Sequence, residues 1–528
     1  MADSSEDSPV VSPIVWAKED QPAMACVVLS DVDSVGVALR PLNVGETVEY
    51  LPGRSVAVTD TVPKGHKLAL TALPLGERVV KYAQTIGYAS VDIAAGSHVH
   101  THNLAFRNTG HDYELCVDNV ATPPDANVDT FMGYRRDTGR VGTRNYIAVL
   151  TSVNCSATVA RQIAAAFDDQ ALADYAHVDG VVAFTHATGC GMADNGEGHK
   201  NLQRVLSGYA SHPNIGAALI VGLGCEVNQI SALVREHGLH KNPLFKTMNI
   251  QSTGGHRKTV DAGIAAIREM LSDVNRIERV SCPASELMVA LQCGGSDAWS
   301  GITANPALGA AVDRLVRQGG TAVLAETPEV YGAEHLLTRR AADPATAQKL
   351  VDRILWWEDY VQRNHGSMDN NPSPGNKLGG LTTILEKSLG AVAKGGTTAL
   401  NGVYEYGEKV DRKGFVFMDT PGYDPASITG EVAGGCNLVA FTTGRGSTYG
   451  CKPAPSIKIA TNTDMYQRME DDMDINAGKI VSDGASIEAV GEEIYRLFLA
   501  VASGQASLSE QSGVGDNEFI PWQIGATM

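Results

Sequence analysis

Four cysteines stand where predicted β-strands end, and their positions are the most informative chemical regularity of the sequence. Cys155, Cys190, Cys225 and Cys293 each follow a short apolar run. Open α/β sheets bind ligands outside the carboxyl ends of their strands, so these thiols could converge on one site. Thiolate and imidazole together suit iron or zinc, although free cysteine is also a common buried residue. No CxxC pair occurs, which excludes a zinc knuckle or a thioredoxin motif.

Imidazoles form a second set of candidate ligands. The run HVHTH at 98–102 places its histidines on one face of a strand, because alternate side chains share a face. His100 and His102 are predicted to chelate one divalent cation or to contact hydroxyl groups; a solvated strand edge is the alternative. The nearby turn PKGHK presents His66 beside Lys67, a pair that could orient a carboxylate and supply a base.

Polar groups around a predicted helix and in a rigid loop are candidate substrate contacts. The segment GGSDAWSGITANPALG precedes and opens a helix, and exposed helix N-termini bind anions. The helix-breaking NNPSPGNK would present an amide and an ammonium to a carboxylate. The predicted contacts are Ser296, Asp297, Asn305, Asn376 and Lys377. The segment ETPEVYGAEHLL offers oxygen ligands or acid–base groups at Glu326, Glu329 and Glu334.

The secondary-structure elements that must position these residues fall into regions that differ in composition and hydrophobic pattern. Residues 25–105 hold short apolar runs separated by turns, which predicts a small all-β module. Residues 106–132 are polar and read as a linker. Beyond them, buried strands alternate with helices and predict parallel sheets, in a middle α/β domain at 133–280 and a C-terminal α/β domain at 281–528. The acidic, Ser/Pro-rich residues 1–24 predict a disordered tail, not a signal peptide.

Bulk composition excludes several classes of function. The 528 residues carry 42 Lys and Arg against 60 Asp and Glu, a net charge of −18 that argues against nucleic acid as a partner. No apolar stretch approaches roughly 20 residues, so no membrane span is predicted. Nine cysteines without a signal peptide indicate reduced thiols and a cytoplasmic location. No GxGxxG with a later acidic residue follows a strand, so no nucleotide cofactor is expected.

Taken in order, these segments resemble the altronate/galactarate dehydratase family, whose relatives include sulfolactate sulfo-lyase. PKGHKLAL, HVHTHN, GRVGTRNY, GLGCEVNQ, QCGGSD, SGITANPALG, ETPEVYGAEHLL, NPSPGNK and TTGRGSTYG look like that family's signature segments, from about residue 60 to 450. The resemblance implies an N-terminal β-clip (SAF-like) domain, a middle domain with dimer contacts, hence a homodimer, and a Rossmann-like C-terminal domain.

The resemblance also implies a reaction. The expected activity is dehydration of a sugar acid to its 2-keto-3-deoxy acid, with altronate as the first candidate and galactarate or a related aldonate next. Fe²⁺ is the expected cofactor, with Mn²⁺ or another divalent ion as a substitute; mononuclear iron and an iron–sulfur cluster both stay open. A carbon–sulfur lyase acting on sulfolactate is the alternative, followed by a non-catalytic sugar-binding protein and an NAD-dependent oxidoreductase.

Roles follow for the residues introduced above. His66, aided by Lys67, is the predicted base that takes the C2 proton. The predicted metal ligands are His100, His102, Cys155, Cys190, Cys225 and Cys293.

Overall fold

A computed structural model of the chain describes residues 25–108, 110, 113–118 and 121–527. The predicted disordered tail at 1–24 lies outside the described residues. Within them, no helix is long and apolar enough to cross a membrane.

The N-terminal module consists of short antiparallel strands, as the turn-punctuated sequence predicts. Its sheets have the orders β1-β2-β5-β8 and β6-β7-β9, beside a β3-β4 hairpin. The strands are β1 (Cys26–Val27), β2 (Val35–Ala38), β3 (Thr47–Leu51), β4 (Arg54–Ala57), β5 (Lys67–Ala69), β6 (Arg78–Lys81), β7 (Gln84–Ala89), β8 (His98–Val99) and β9 (Leu104–Ala105).

The predicted linker, where it is described, runs along the C-terminal domain. The backbone N–H of Cys116 donates to the carbonyl of Thr338 at 3.0 Å, and that of Asp118 donates to the carbonyl of Arg339 at 2.8 Å. The guanidinium of Arg314 contacts Asp125 at 2.8 Å. The segment therefore joins the module to the last domain as well as to the middle one.

The middle domain is built on a parallel sheet of order β13-β12-β14-β15 with helices around it. Its central strands, YIAVLT and IGAALIVG, are buried along their whole length, which explains their unbroken apolar sequence. An antiparallel sheet, β11-β10-β16, lies at its boundary. The strands are β10 (Thr130–Arg135), β11 (Val141–Gly142), β12 (Tyr146–Thr151), β13 (Gly180–Phe184), β14 (Ile215–Gly222), β15 (Phe245–Asn249) and β16 (Arg279–Pro283). The helices are α1 (Ala157–Ala164), α2 (Glu197–Ala210), α3 (Ile230–His237), α4 (Ile250–Thr253) and α5 (His256–Asn275).

The C-terminal domain contains a larger parallel sheet, of order β19-β20-β18-β17-β21-β22-β23. Its strands are β17 (Met288–Cys293), β18 (Thr321–Leu324), β19 (Leu400–Tyr404), β20 (Gly414–Met418), β21 (Leu438–Thr443), β22 (Ser456–Ala460) and β23 (Ile475–Asn476). Its helices are α6 (Ala304–Arg317), α7 (Thr327–Val330), α8 (His335–Thr338), α9 (Pro344–Arg363), α10 (Pro374–Leu378), α11 (Ile384–Val392), α12 (Asp424–Gly434), α13 (Thr463–Arg468), α14 (Lys479–Ser482), α15 (Ile487–Ala502) and α16 (Leu508–Gln511). Short 3-10 helices occur at Asn154–Ser156, Leu239–Lys241, Ala284–Glu286, Met368–Asn370 and Ala393–Gly395.

Candidate active site between the N-terminal module and the C-terminal domain

The turn that carries His66 docks directly on the C-terminal domain. Gly65 adopts φ +82°, and a Cβ there would lie 3.2 Å from Nε1 of Trp299. Gly380 adopts φ +98°, and a Cβ there would collide with the carbonyl oxygen of Gly65. Two facing glycines thus let the backbones of the two domains approach closely, which larger residues would prevent.

A buried group of charges joins the two domains beside this turn. Lys67 Nζ lies 2.8 Å from one carboxylate oxygen of Glu386, and Lys81 Nζ lies 3.0 Å from the other. Lys67 also donates to the carbonyl of Gly380 at 2.7 Å. Burial would raise the pKa of Glu386, but the two ammonium groups lower it to about 2. The carboxylate that Lys67 holds in this structure is therefore the protein's own.

The imidazoles of the module converge beside the same interface. His66 Nδ1 lies 3.0 Å from His98 Nε2, and His66 Nε2 lies 3.4 Å from the carbonyl oxygen of Leu378. One ring nitrogen from each of His66, His98 and His100 forms a set within 4.8 Å of one another. The ring of His102 packs against that of His98, with centroids 5.4 Å apart, but is not in this set.

These imidazoles are neutral near pH 7. Burial, followed by the neighbouring imidazoles of His66 and His102, lowers the pKa of His98 to about 4, and burial, followed by Lys67, lowers that of His100 to about 3. Burial also lowers the pKa of His66. The Nδ1 atom of His100 is buried without a hydrogen-bond partner among the described residues. Neutral, converging imidazoles with an unused nitrogen are a suitable ligand set for a divalent transition metal.

A second group of chemical side chains surrounds Cys293 at the end of β17. The Cys293 thiol lies 3.4 Å from a carboxylate oxygen of Glu329 and 3.9 Å from one of Glu326. Lys394 Nζ lies 3.0 Å from the thiol sulfur, and Lys387 Nζ lies 2.6 Å from Glu329. All five side chains are buried.

The two carboxyl groups of this set differ in protonation state. Burial and the nearby Glu329 raise the pKa of Glu326 well above its usual range. Burial alone would raise the pKa of Glu329 as well, but the positive charges of Lys387 and Lys394 outweigh that effect and lower it. Burial, with Glu329 next, raises the pKa of Asp424 to about 6. Carboxyl groups whose environments push their pKa values apart are typical of acid–base catalysis.

Glu326 also has an unusual backbone. Its φ of +67° lies in the left-handed region, which is uncommon for a residue with a side chain. One of its carboxyl oxygens is buried without a hydrogen-bond partner among the described residues. Such strain and unmet bonding are characteristic of functional sites.

A narrow pocket connects the module with this second group. Tyr82 of the module lines it, together with Cys293, Ser296, Glu386 and Lys387 of the C-terminal domain. Tyr82 itself has φ +61° in the turn between β6 and β7. The C-terminal domain supplies most of the lining, and Tyr82 closes the pocket from the side of the module.

Asp297 and Asn305, two predicted substrate contacts, line the same pocket but use their polar atoms internally. One oxygen of Asp297 accepts from Thr461 Oγ1 at 2.9 Å, and the other accepts from Asn462 Nδ2 at 3.0 Å. The amide of Asn305 donates to the carbonyl of Gly390 at 2.8 Å. In this structure both side chains shape the pocket wall.

Asn376 and Lys377, the other predicted contacts, lie on the short helix α10. Asn376 Nδ2 donates to the carbonyl of Ser296 at 2.8 Å, and its side-chain oxygen accepts from the N-cap Ser373. Asn376 thus supports Ser296, which faces the pocket. Lys377 is half-buried.

The four strand-end cysteines belong to two sheets, so the fold does not gather them at one sheet edge. Cys155, Cys190 and Cys225 follow β12, β13 and β14 of the middle domain and are exposed. Cys293 follows β17 of the C-terminal sheet and is buried. Sequence reasoning could not separate them because each of the four cysteines follows or ends a short apolar strand sequence, whichever sheet that strand joins.

Several groups of this site were not selected from the sequence. The side chains of Lys81, Lys387, Lys394 and Glu386 are buried, and that of Asp424 is half-buried. A signal for two of them exists, since Glu386 and Lys387 interrupt the otherwise apolar helix sequence ILEKSLGAV. Charged residues on a buried helix are rare unless they are paired.

Comparison with known families covers nearly the whole chain. Residues 24–107 match the altronate/galactarate dehydratase SAF domain. Residues 133–275 match the second domain of D-galactarate dehydratase/altronate hydrolase, and residues 284–527 match the D-galactarate/altronate dehydratase C-terminal domain. The chain belongs to the altronate/galactarate dehydratase family. The predicted resemblance is thus confirmed, and the β module is a SAF domain.

Individual relatives agree with this assignment. An altronate dehydratase of Bacillus subtilis is 36% identical over 500 residues, covering 94% of this chain and 98% of that protein. The galactarate dehydratase (L-threo-forming) of Escherichia coli is 34% identical, covering 94% and 96%. A (2R)-sulfolactate sulfo-lyase subunit beta of Chromohalobacter salexigens is 30% identical over 394 residues, covering 74% and 96%. As a member of the dehydratase family, the chain is a hydro-lyase.

Proposed function

We propose that this hydro-lyase dehydrates a sugar acid in the pocket between its SAF and C-terminal domains, with altronate as the first candidate substrate and galactarate or a related aldonate next. The main support for the proposal is the composition of the pocket wall, which includes Lys387 and Cys293. The Lys387 ammonium lies 2.6 Å from Glu329, and the Cys293 thiol lies 3.4 Å from the same carboxylate. The seven-stranded order of the C-terminal sheet also supports our inference that this domain is Rossmann-like.

The reaction removes a proton from C2 and hydroxide from C3, and ketonisation of the resulting enol gives the 2-keto-3-deoxy acid and water. The C2 proton becomes acidic enough only when charge on the adjacent carboxylate is neutralised. Lys387, which Glu329 keeps protonated, would supply that positive charge at the pocket wall.

We assign proton transfer to Glu326 and Glu329, the carboxyl groups that contact the pocket-lining residues Cys293 and Lys387. Glu329 is ionised, so Lys387 would pass one of its protons to Glu329 and take the C2 proton in its place, which leaves Lys387 an ammonium and Glu329 protonated. Glu326 is protonated and would donate towards the departing hydroxyl. General acid–base catalysis by positioned groups typically contributes about 10²–10⁴ in rate.

We further propose that His66, His98 and His100 hold the divalent ion, with Fe²⁺ as the expected metal. A bound divalent ion would act as a Lewis acid towards the substrate's oxygen atoms. The set around Cys293 is less suited to a cation, because Lys387 already neutralises the Glu329 carboxylate, Lys394 lies against the Cys293 thiol, and Glu326 is protonated. This assignment replaces His102 with His98 and His66 in the predicted ligand set.

His66 acts here as a ligand in preference to the C2 base predicted from the sequence. Both of its ring nitrogens already face other groups, His98 on one side and the Leu378 carbonyl on the other. Lys67, bound to Glu386, then positions the turn that carries His66.

A carbon–sulfur lyase acting on sulfolactate is the competing function within the same fold. The sulfo-lyase subunit matches less of this chain than the dehydratases do. Release of sulfite from sulfolactate, without keto-acid formation from sugar acids, would establish that alternative.

The deciding experiment is a panel of sugar acids incubated anaerobically with the purified full chain and Fe²⁺, with 2-keto-3-deoxy acid as the product measured. We expect turnover of altronate or a close relative, loss of turnover after exhaustive chelation, and recovery when Fe²⁺ or Mn²⁺ is restored. Full turnover with metal content near zero would contradict the metal proposal. No keto acid from any aldonate or aldarate would contradict the proposed function itself.

A further inference from the structure

The exposed cysteines of the middle domain occupy neighbouring positions at one sheet edge, and none of them lines the proposed pocket. Strands β13, β12 and β14 are adjacent and parallel, so their carboxyl ends lie side by side. The loops that follow carry Cys190, Cys155 and Cys225 in that order. All three thiols are free and exposed.

Hydrogen bonds next to each cysteine tie these loops to one another. The backbone N–H of Asn154 donates to the carbonyl of Thr188 at 2.9 Å, linking the loops of Cys155 and Cys190. The N–H of Asn228 donates to the carbonyl of Gly189 at 3.0 Å, linking the loops of Cys225 and Cys190.

The remaining pair of loops is tied by a buried carboxylate. Ser152 Oγ donates to Glu226 at 2.6 Å, and the same carboxylate accepts the N–H of Gly224 at 2.6 Å. The loops are therefore held together by groups other than the thiols, which leaves all three thiols available for a ligand.

Glycines in the left-handed region flank two of the cysteines. Gly189, Gly191 and Gly224 have φ of +104°, +64° and +126°. A Cβ on Gly189 would collide with the carbonyl oxygen of Ser152, so only glycine at this position lets the Cys190 loop pack directly against the Cys155 loop. Turns of this kind expose backbone N–H groups and recur around anionic iron–sulfur clusters. The amide of Gln251 also donates to the Cys225 sulfur at 3.4 Å.

We propose that Cys155, Cys190 and Cys225 bind a four-iron, four-sulfur cluster. Three thiolates form a soft ligand set that selects iron–sulfur clusters, zinc or Cu(I) over hard cations. Among the described residues, the ligand sets compact enough for a single ion, with atoms within 4.8 Å of one another, are those of His66 and of Cys293, and these thiols are in neither. In a cluster each thiolate binds a different iron, so the ligands stand further apart.

Loading the site is a ligand exchange without electron transfer. A preformed cluster carried by small thiolates loses three of them, and the three cysteine thiols lose their protons to solvent as they take those places. The fourth iron keeps its external ligand, because the sheet edge supplies a cysteine at three strand ends.

The test uses the full chain under anaerobic conditions and a synthetic thiolate-ligated 4Fe–4S complex as the donor. After removal of excess donor, we expect about four irons and four acid-labile sulfides per chain, with the charge-transfer absorption and the reduced-state electron paramagnetic resonance signal of a cubane cluster. Each of Cys155→Ser, Cys190→Ser and Cys225→Ser should reduce iron and sulfide at least several-fold.

Matched variants separate this site from the rest of the molecule. Cys116→Ser, which changes a cysteine elsewhere, and His100→Ala, which changes the proposed mononuclear site, should both retain the cluster. Circular dichroism of each serine variant checks its fold, since exposed thiols are not needed for packing. Uptake of zinc or a single iron without sulfide, or equal cluster uptake by the triple serine variant, would overturn the proposal, whatever the fate of the dehydratase assignment.

Discussion

At the scale of single residues, environment distinguishes side chains that the sequence presents as equivalent. Glu326 and Glu329 are three positions apart on and beside α7, and both are buried. Lys387, 2.6 Å away, and Lys394 lower the pKa of Glu329, whereas burial and repulsion from Glu329 raise the pKa of Glu326. The positions of the lysines therefore make Glu326 an acid and Glu329 a base, although both are glutamates.

Replacing His66 with Gln should lower kcat by roughly 10²–10⁴, the range for loss of a positioned catalytic group. The iron bound at the imidazole set should fall with it, because His66 contributes one of three converging nitrogens. Keto-acid formation and metal analysis of the same preparation measure both effects. His177→Gln, at a half-exposed imidazole of the middle domain, is the control. Loss of kcat with full metal content would return His66 to the role of base.

Replacing Lys387 with Met should shift the acidic limb of the pH profile of kcat/KM upwards. Lys387 lies 2.6 Å from Glu329 and lowers its pKa, so its loss favours the protonated carboxyl. Removal of an adjacent opposite charge typically moves a pKa by about 1–3 units. Lys409→Met, at an exposed lysine, should leave the profile unchanged. An unshifted limb in the folded Lys387 variant would exclude Glu329 as the group that titrates.

At the scale of elements, helix α11 connects domain docking with chemistry. Glu386 binds two lysines of the SAF domain, and the next residue, Lys387, faces Glu329 of the C-terminal domain. Both side chains line the pocket. Movement of the SAF domain away from α11 would therefore alter the pocket and the lysine–glutamate pair together.

Replacing Glu386 with Gln should destabilise the protein by about 3–5 kcal/mol at neutral pH, because it leaves two buried ammonium groups without their carboxylate. The folded-state pKa of Glu386, about 2, lies below its ordinary value of 4.5. The stabilisation is therefore complete above pH 4.5 and is lost as the pH falls towards 2. Urea unfolding at a series of pH values measures it.

The variant should show a weaker loss of stability over that acidic range than the parent chain, since one titrating group is gone. Glu470→Gln, at an exposed glutamate after α13, provides the matched control and should change stability by less than about 0.5 kcal/mol. Equal acid sensitivity of the parent and the Glu386 variant would contradict the role given to this ion group.

At the scale of the whole molecule, the proposed site requires two domains that are distant in sequence. The SAF domain supplies the imidazoles and Tyr82, and the C-terminal domain supplies Cys293, Lys387 and the carboxylates. Interdomain clefts are common places for small-molecule sites. The linker lies along the C-terminal domain and would keep the SAF domain close to it.

A chain starting at Thr130 should lose turnover, and adding the separate SAF domain should restore part of it. The reason is that the chain from Thr130 lacks the imidazole set and Tyr82 of the pocket lining, whereas the SAF domain lacks Lys387 and the carboxyl groups. Turnover of each piece and of the mixture is measured after circular dichroism has verified the fold of each. A folded chain from Thr130 that keeps most of its kcat would show that the SAF domain is an accessory unit.

The sequence by itself determined the local structure and the family. Apolar runs of strand length, such as those leading to Cys155 and Cys293, became buried parallel strands, because a strand covered on both faces must be apolar throughout. Turn residues at regular spacing likewise predicted the β module. These features depend on neighbours in the chain, so local sequence was sufficient.

Tertiary structure decided which of these residues meet. It divided the strand-end cysteines between two sheets and brought His66 to Leu378, more than 300 positions away. It also placed Lys387 2.6 Å from Glu329 but left Glu326 no closer than 3.9 Å to Lys394, and so set the opposite protonation states of the two glutamates. Sheet order and domain docking arise from packing over the whole chain, and electrostatic shifts depend on distance in space, so neither follows from the order of residues alone.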